Sequence, residues 1–286
     1  MRLVAFCLVV TTFVASARVD AAACSCATPD AFGFVAASGV LPANAKGVVW
    51  SGRTKPSVDA IKVFRLDEKG KASLVPFKID QLGPRHKNEL EYSLFLIRPT
   101  DAMTPGQRYR FVTKKHSFAG VRFGIDGGPQ TREYVVSDQS LSEAADAVDL
   151  SATTAQAGTV RVSEFSGQCD NDVAAVASNV RVVLPTAWEL FSEQLSYRTI
   201  VNNKPWNPKS SLCQTLIPGR PAQPTATDRI FRRCGAEGNS DAGVASKDAR
   251  VVIEITAPTI DAKFLIRTIP LTVALDCPVA LVEAVD

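Results

Sequence analysis

The stretch Ala60-Ile-Lys-Val-Phe-Arg-Leu66, followed by Asp67-Glu-Lys-Gly70 and a second run over Ala72–Ile79, decides the fold class. Ile61, Val63 and Arg65 alternate against Lys62, Phe64 and Leu66, so this is a strand partly buried on both faces rather than a helix stripe. The Asp-Glu-Lys-Gly segment then supplies the turn of a hairpin into the second run.

The same pattern repeats outward in both directions. Gly47-Val-Val-Trp50 is a short apolar strand ended by Ser51-Gly52, and Leu90–Ile97 places Leu90, Tyr92, Leu94 and Leu96 on one face. Pro105-Gly106 turns the chain into Arg108-Tyr-Arg-Phe-Val112, and Val121–Ile125 and Arg132–Val136 close the set. Strands about every 8–14 residues, with Gly and Pro between them, predict a β-sandwich. Residues 137–157 are rich in Ser, Ala, Asp and Gln and hold no aromatic residue, which predicts an interdomain linker. Strands resume at Thr159–Phe165, Val180–Leu184, Leu195–Val201, Val251–Ile255 and Phe264–Leu275, the last broken at Pro270. Between Asn202 and Asp228, Pro205, Pro208, Pro218, Pro221 and Pro224 remove amide donors and predict an extended surface loop, on which Trp206 is a candidate contact residue.

The first 23 residues read as a secretory signal peptide: Arg2, an apolar run from Leu3 to Ala17, then small-x-small cleavage sites at Ala15-Ser-Ala17 and Ala21-Ala-Ala23. No later stretch approaches the roughly 18 apolar residues of a spanning helix, so no transmembrane span is expected after cleavage. The expected organisation is all-β: a cleaved signal (1–23), a Cys-x-Cys segment (24–39), an Ig-like or fibronectin-like β-sandwich (40–136), the linker (137–157) and a disulfide-bonded β-sandwich (158–286). Localisation is then periplasmic, extracellular or at the cell surface. A cut after Ala23 would place Cys24 first, where a lipid could attach, but Ala21 stands where a lipoprotein signal carries Leu and Arg18-Val-Asp20 intervenes.

Without Cys7 in the signal, the cysteines are Cys24, Cys26, Cys169, Cys213, Cys234 and Cys277, an even number, which in an oxidising compartment reads as disulfides. The economical pairing joins Cys213 to Cys234 across the proline-rich loop and Cys169 to Cys277 at the ends of the C-terminal half. Cys24 and Cys26 are too close together to bond each other without strain and would clip the N-terminus to one of the domains.

The formal charge of the 286-residue chain is +3, too small by itself for a nucleic-acid binder. Its distribution says more. Residues 24–136 hold 17 Lys+Arg against 10 Asp+Glu, whereas residues 137–286 hold 13 against 18. Either the halves dock on each other, or the basic half meets an anionic envelope polymer or another envelope protein, with Arg85, Lys114 and Lys115 as candidate contacts. No Gly-x-Ser-x-Gly elbow, His-Glu-x-x-His helix or phosphate loop occurs, and two His with one mature-chain Met imply no metal or cofactor.

Leu41-Pro-Ala-Asn-Ala45 with Val48-Val-Trp50, the strand Ile61–Leu66, and Leu96-Ile-Arg-Pro99 with Met103-Thr-Pro-Gly106-Gln-Arg-Tyr109-Arg-Phe111 resemble the bacterial Ig-like modules of surface-layer and other exported envelope proteins. Met103 takes the usual Leu place, and Trp50-Ser-Gly52 replaces the usual Phe-Ser-x-Pro. That resemblance covers about 80 residues. It implies a spacer or binding role without catalytic residues. The C-terminal half, with Lys204-Pro-Trp-Asn-Pro208 and Asp228-Arg-Ile-Phe-Arg-Arg-Cys234, is similar to regions of uncharacterised exported bacterial proteins. Cys24-Ser-Cys26 resembles the start of tissue inhibitors of metalloproteinases, which implies a zinc-chelating N-terminal Cys24. The expected function is a non-enzymatic exported envelope protein, a structural or binding module. The alternatives are an exported hydrolase with loop carboxylates and a metalloprotease inhibitor presenting Cys24.

Overall fold

A computed structural model describes residues 33–36, 39–52, 55–82, 93–114, 131–142, 148–162, 171–206, 227–235, 243–259 and 266–278. The signal peptide, the Cys-x-Cys motif, Val121–Ile125 and most of the proline-rich loop lie outside them. Among the described residues the chain is nearly all β, and no helix is long and apolar enough to cross a membrane.

The N-terminal half contributes β1 (Gly33–Phe34), β2 (Gly39–Leu41), β3 (Val48–Gly52), β4 (Ile61–Leu66), β5 (Ala72–Val75), β6 (Phe77–Leu82), β7 (Ser93–Pro99), β8 (Arg108–Thr113) and β9 (Thr131–Val136). They form two sheets, I in the order β1-β3-β7-β6 and II in the order β2-β9-β8-β4-β5. All pairs are antiparallel except β2 with β9, which run parallel. The predicted hairpin closes at Gly70, whose φ of 78° is the left-handed corner that glycine tolerates. The run expected over Ala72–Ile79 is two strands. Pro76 has no amide to donate, and the chain crosses there from sheet II to sheet I.

Aromatic side chains carry the first core from sheet to sheet. Trp50 meets Phe34 edge-on at 5.1 Å, Phe34 meets Phe111 at 5.8 Å, and Phe111 meets Tyr134 at 5.7 Å. The Tyr134 hydroxyl donates to Ala36 O at 2.7 Å, so that buried polar atom is satisfied. Every residue of β3 is buried, because Val48 and Trp50 face this core while Val49 packs behind the sheet with Val35, Leu82 and Leu96.

The C-terminal half builds β10 (Asp149–Ala152), β11 (Gln156–Val162), β12 (Asn171–Val183), a helical turn α1 (Thr186–Glu189), β13 (Ser196–Val201), β14 (Lys204–Pro205), β15 (Thr227–Arg233), β16 (Asp248–Thr256), β17 (Ile266–Arg267) and β18 (Leu271–Ala274). In sheet III the long β12 pairs with β15 on one side and with β10 and β11 on the other. In sheet IV the order is β14-β13-β16, with β17 and β18 together along the far side of β16, separated at Pro270 as its missing amide requires. Val176, Val180, Ile230 and Phe231 from sheet III pack on Val201, Val251 and Val273 from sheet IV.

The linker expectation needs correcting. Asp149–Ala152 and Gln156–Ala157 are strand, and Leu141 and Val148 are buried in the second core beside Trp188 and Phe191. The transition is clamped by Asn44: its Nδ2 donates to Leu141 O and its Oδ1 accepts from Leu141 N, both at 2.9 Å. Lys46 N also donates to Pro258 O at 2.9 Å, joining the two sandwiches directly.

Gly47 lies at a close approach to β7. A Cβ at that position would stand 2.3 Å from Ile97 O, inside backbone that cannot move aside. Gly47→Ala is expected to lower stability by about 1–3 kcal/mol, read as a drop in the urea midpoint. An unchanged midpoint would show that β3 and β7 do not approach this closely.

Candidate functional site

The outer face of sheet II is an exposed surface with a consistent chemistry. Strand alternation puts Ile61, Val63, Phe111 and Tyr134 inward, and therefore Lys62, Phe64, Arg110, Val112 and Glu133 outward. Register then sets them in rows. Leu74, Phe64, Arg110 and Glu133 lie side by side across four strands. Lys62, Val112 and Thr131 form the row on one side, and Arg108 and Val135 belong to the row on the other. Leu74 is 67% exposed and Phe64 is half-buried, so apolar and cationic groups are displayed together. Arg110 Nε donates to Glu133 Oε1 at 2.7 Å, the one carboxylate in these rows. The β4–β5 turn sets Asp67 and Glu68 against Lys69 and Lys71 and is neutral. The positive surplus on this face therefore belongs to Lys62 and Arg108.

Sheet IV carries a second cationic row. Glu254 on β16 sits between Arg198 on β13 and Arg267 on β17, its register partners. Arg267 donates twice to Glu254 Oε1, at 3.1 and 2.8 Å, and Arg198 Nη1 stands 3.7 Å from Oε2. Glu254 is buried beneath them, so this row is a closed ion-pair cluster.

Asp228, at the start of β15, is 1% exposed and pairs in register with Val180 of the core between sheets III and IV. Burial pushes its carboxyl up to about 7 from the ordinary 3.8, with the Thr199 side chain and the Arg229 amide pulling the other way. Oδ1 accepts from Arg229 N at 2.9 Å, while neither Oδ2 nor Thr199 Oγ1 completes a hydrogen bond of normal geometry. An open groove of about 620 Å³ lies nearby between the β10–β11 bulge and β18, lined by small side chains such as Thr153, Ala155, Thr272 and Ala274.

Among the residues expected from sequence, Cys234 is disulfide-bonded to Cys277, with a Cα–Cα distance of 5.7 Å. This overturns both expected pairings, Cys213 with Cys234 and Cys169 with Cys277. β15 and β18 end side by side across the sandwich, where Arg232 Nη1 reaches Leu275 O at 3.4 Å, and this meeting of strand ends selects the partners. Cys24, Cys26, Cys169, Cys213, Arg85 and Lys115 lie outside the described residues. Lys114 is exposed at the end of β8. Trp206 is not displayed on a loop. It is 9% exposed, meets Phe231 edge-on at 5.7 Å, and donates from Nε1 to Arg229 O at 3.2 Å. Sequence reasoning passed over Lys62, Arg108 and Arg110, although they occupy the outward positions of two strands it had identified.

Among the described residues no group of three His, Cys, Asp or Glu side chains is placed to hold a metal. No protein-family model matches the chain, and no curated protein matches it either.

The Asp228 carboxyl makes stability fall with rising pH. Between about pH 4 and 7 the folded chain keeps a proton that the unfolded chain has released, so this group favours the fold most below its unfolded pKa and least above 7. Asp228→Asn is expected to flatten that slope and to raise stability at pH 8 by on the order of 2–4 kcal/mol. Urea melts of both proteins at pH 5 and pH 8 measure it; equal slopes would place the proton elsewhere.

Proposed function

We propose that this chain is a non-enzymatic exported envelope protein acting as a binding module. The observation that carries this reading is the open face of sheet II. There Lys62, Arg108 and Arg110 alternate with Phe64, Leu74 and Val135 on a scaffold held rigid by the aromatic core beneath it. A preformed surface of this kind loses little conformational freedom on binding. The Cys234–Cys277 bond supports export, since such bonds persist in oxidising compartments. The resemblance to bacterial Ig-like modules points to the same role.

Export is tested by expressing the full chain in a secreting bacterium and weighing the fractionated protein with and without reduction. The expected outcome is a shortened chain beginning at Arg18 or Cys24, outside the cytoplasm, with Cys234 and Cys277 linked. A full-length cytoplasmic chain with free thiols would overturn the reading. Cys277→Ser is expected to cost about 2–5 kcal/mol of stability, measured as the difference in urea midpoint under oxidising conditions.

A further inference from the structure

We infer that the outer face of sheet II is a docking surface for an anionic polysaccharide, a chain of sugar rings bearing carboxylates. The inference rests on the binding-module reading and names its partner. Charge complementarity gives the sign of the partner. Lys62 and Arg108 exceed the acidic groups of this face, because Arg110 is matched by Glu133 and the β4–β5 turn is neutral. The placement of the apolar groups gives its class. Phe64 lies between Leu74 and Arg110 in one cross-strand row, and Val112 and Val135 flank Arg110 in the neighbouring rows.

A sugar ring has an apolar C–H face and a polar edge. The half-buried Phe64 and the 67% exposed Leu74 offer a low apolar platform to the first. The flanking ammonium and guanidinium groups take carboxylates at the second, Arg108 in two-pronged fashion. Glu133, already oriented by Arg110 at 2.7 Å, keeps an oxygen to accept from sugar hydroxyls. The four strands of this row lie about 4.8 Å apart, so the row is long enough to seat several consecutive sugars. A lipid surface fits less well, because insertion needs several protruding apolar side chains, and of the two apolar members of the row Leu74 is exposed while Phe64 is half-buried.

The arrangement also defines how binding depends on salt. Each cation that neutralises a carboxylate of a polyelectrolyte releases a condensed counterion, so the affinity falls with added salt in proportion to the number of contacts. Neutral glycans would lack that dependence.

The experiment titrates the purified mature protein with polygalacturonate, with neutral dextran and with vesicles of anionic phospholipid, at several salt concentrations. Polygalacturonate is expected to bind with a steep salt dependence and dextran not to bind. Lys62→Gln combined with Arg108→Gln is expected to weaken binding at least tenfold and to reduce the salt slope by about two, with an unchanged urea midpoint. Leu74→Ser is expected to weaken binding without altering the salt slope. Lys204→Gln with Lys247→Gln, on the other sandwich, is expected to change nothing. Unaltered binding by the Lys62 and Arg108 double variant, equal binding of dextran, or vesicle binding without polymer binding would each overturn the proposal. Shortening of the polymer with time would instead overturn the non-enzymatic reading, and would leave the docking face standing provided the double variant still loses affinity.

Discussion

The two-way hydrogen bond between the Asn44 amide and the Leu141 backbone holds the first sandwich to the second. It works because an amide side chain offers a donor and an acceptor in one plane, matching the N–H and C=O of a single extended residue. Ala43 N donates to Gln139 O and Ser137 N to Leu41 O, so the chain leaving β9 is guided along β2 until Leu141 enters the second core. Val40, on β2, packs against that same core. The boundary between the sandwiches is thus a packed seam, which a polar composition in residues 137–157 does not reveal.

Strand grammar was legible wherever side chains alternate or prolines interrupt. The hairpin around Gly70, the strand from Arg132 to Val136 and the break at Pro270 stand close to where periodicity places them. The longest strand was mostly illegible. β12 reads Val173-Ala-Ala-Val-Ala-Ser-Asn before its more typical end, and alanines weigh against a strand by propensity. Their small size suits a central position, flanked by β11 and β15 and pressed against the facing sheet. β15 was hidden for a different reason: Asp228, Arg229, Arg232 and Arg233 outnumber its apolar residues, yet Ile230 and Phe231 are fully buried. The disulfide could not be read at all, since sequence distance says nothing about which strand ends meet.

Charge counted along the chain also proved a coarse guide to charge on a surface. The C-terminal half is acidic by count, but two of its carboxylates, Asp228 and Glu254, are buried and present no field to a partner. Sheet IV meanwhile exposes Arg250 and Arg267 on its outer side. In the N-terminal half the excess does concentrate, because β4 and β8 place Lys62, Arg108 and Arg110 on one face while Ile61, Val63, Tyr109 and Phe111 face the aromatic core. The alternation of the strand sorts charge in space, and this is why Lys62 and Arg108 matter more than the overall balance.

The Cys234–Cys277 bond has a mechanical meaning as well as a thermodynamic one. A pull on the C-terminal end would pass at Cys277 into Cys234, and from there into β15 and its ladder with β12. The loop between them, a sequence separation of 43 that includes β16, β17 and β18, would carry no tension, which withholds roughly 150 Å of extension from a stretched chain. Force would then load the antiparallel β12–β15 pair, and the second sandwich would behave under tension as a short, stiff link.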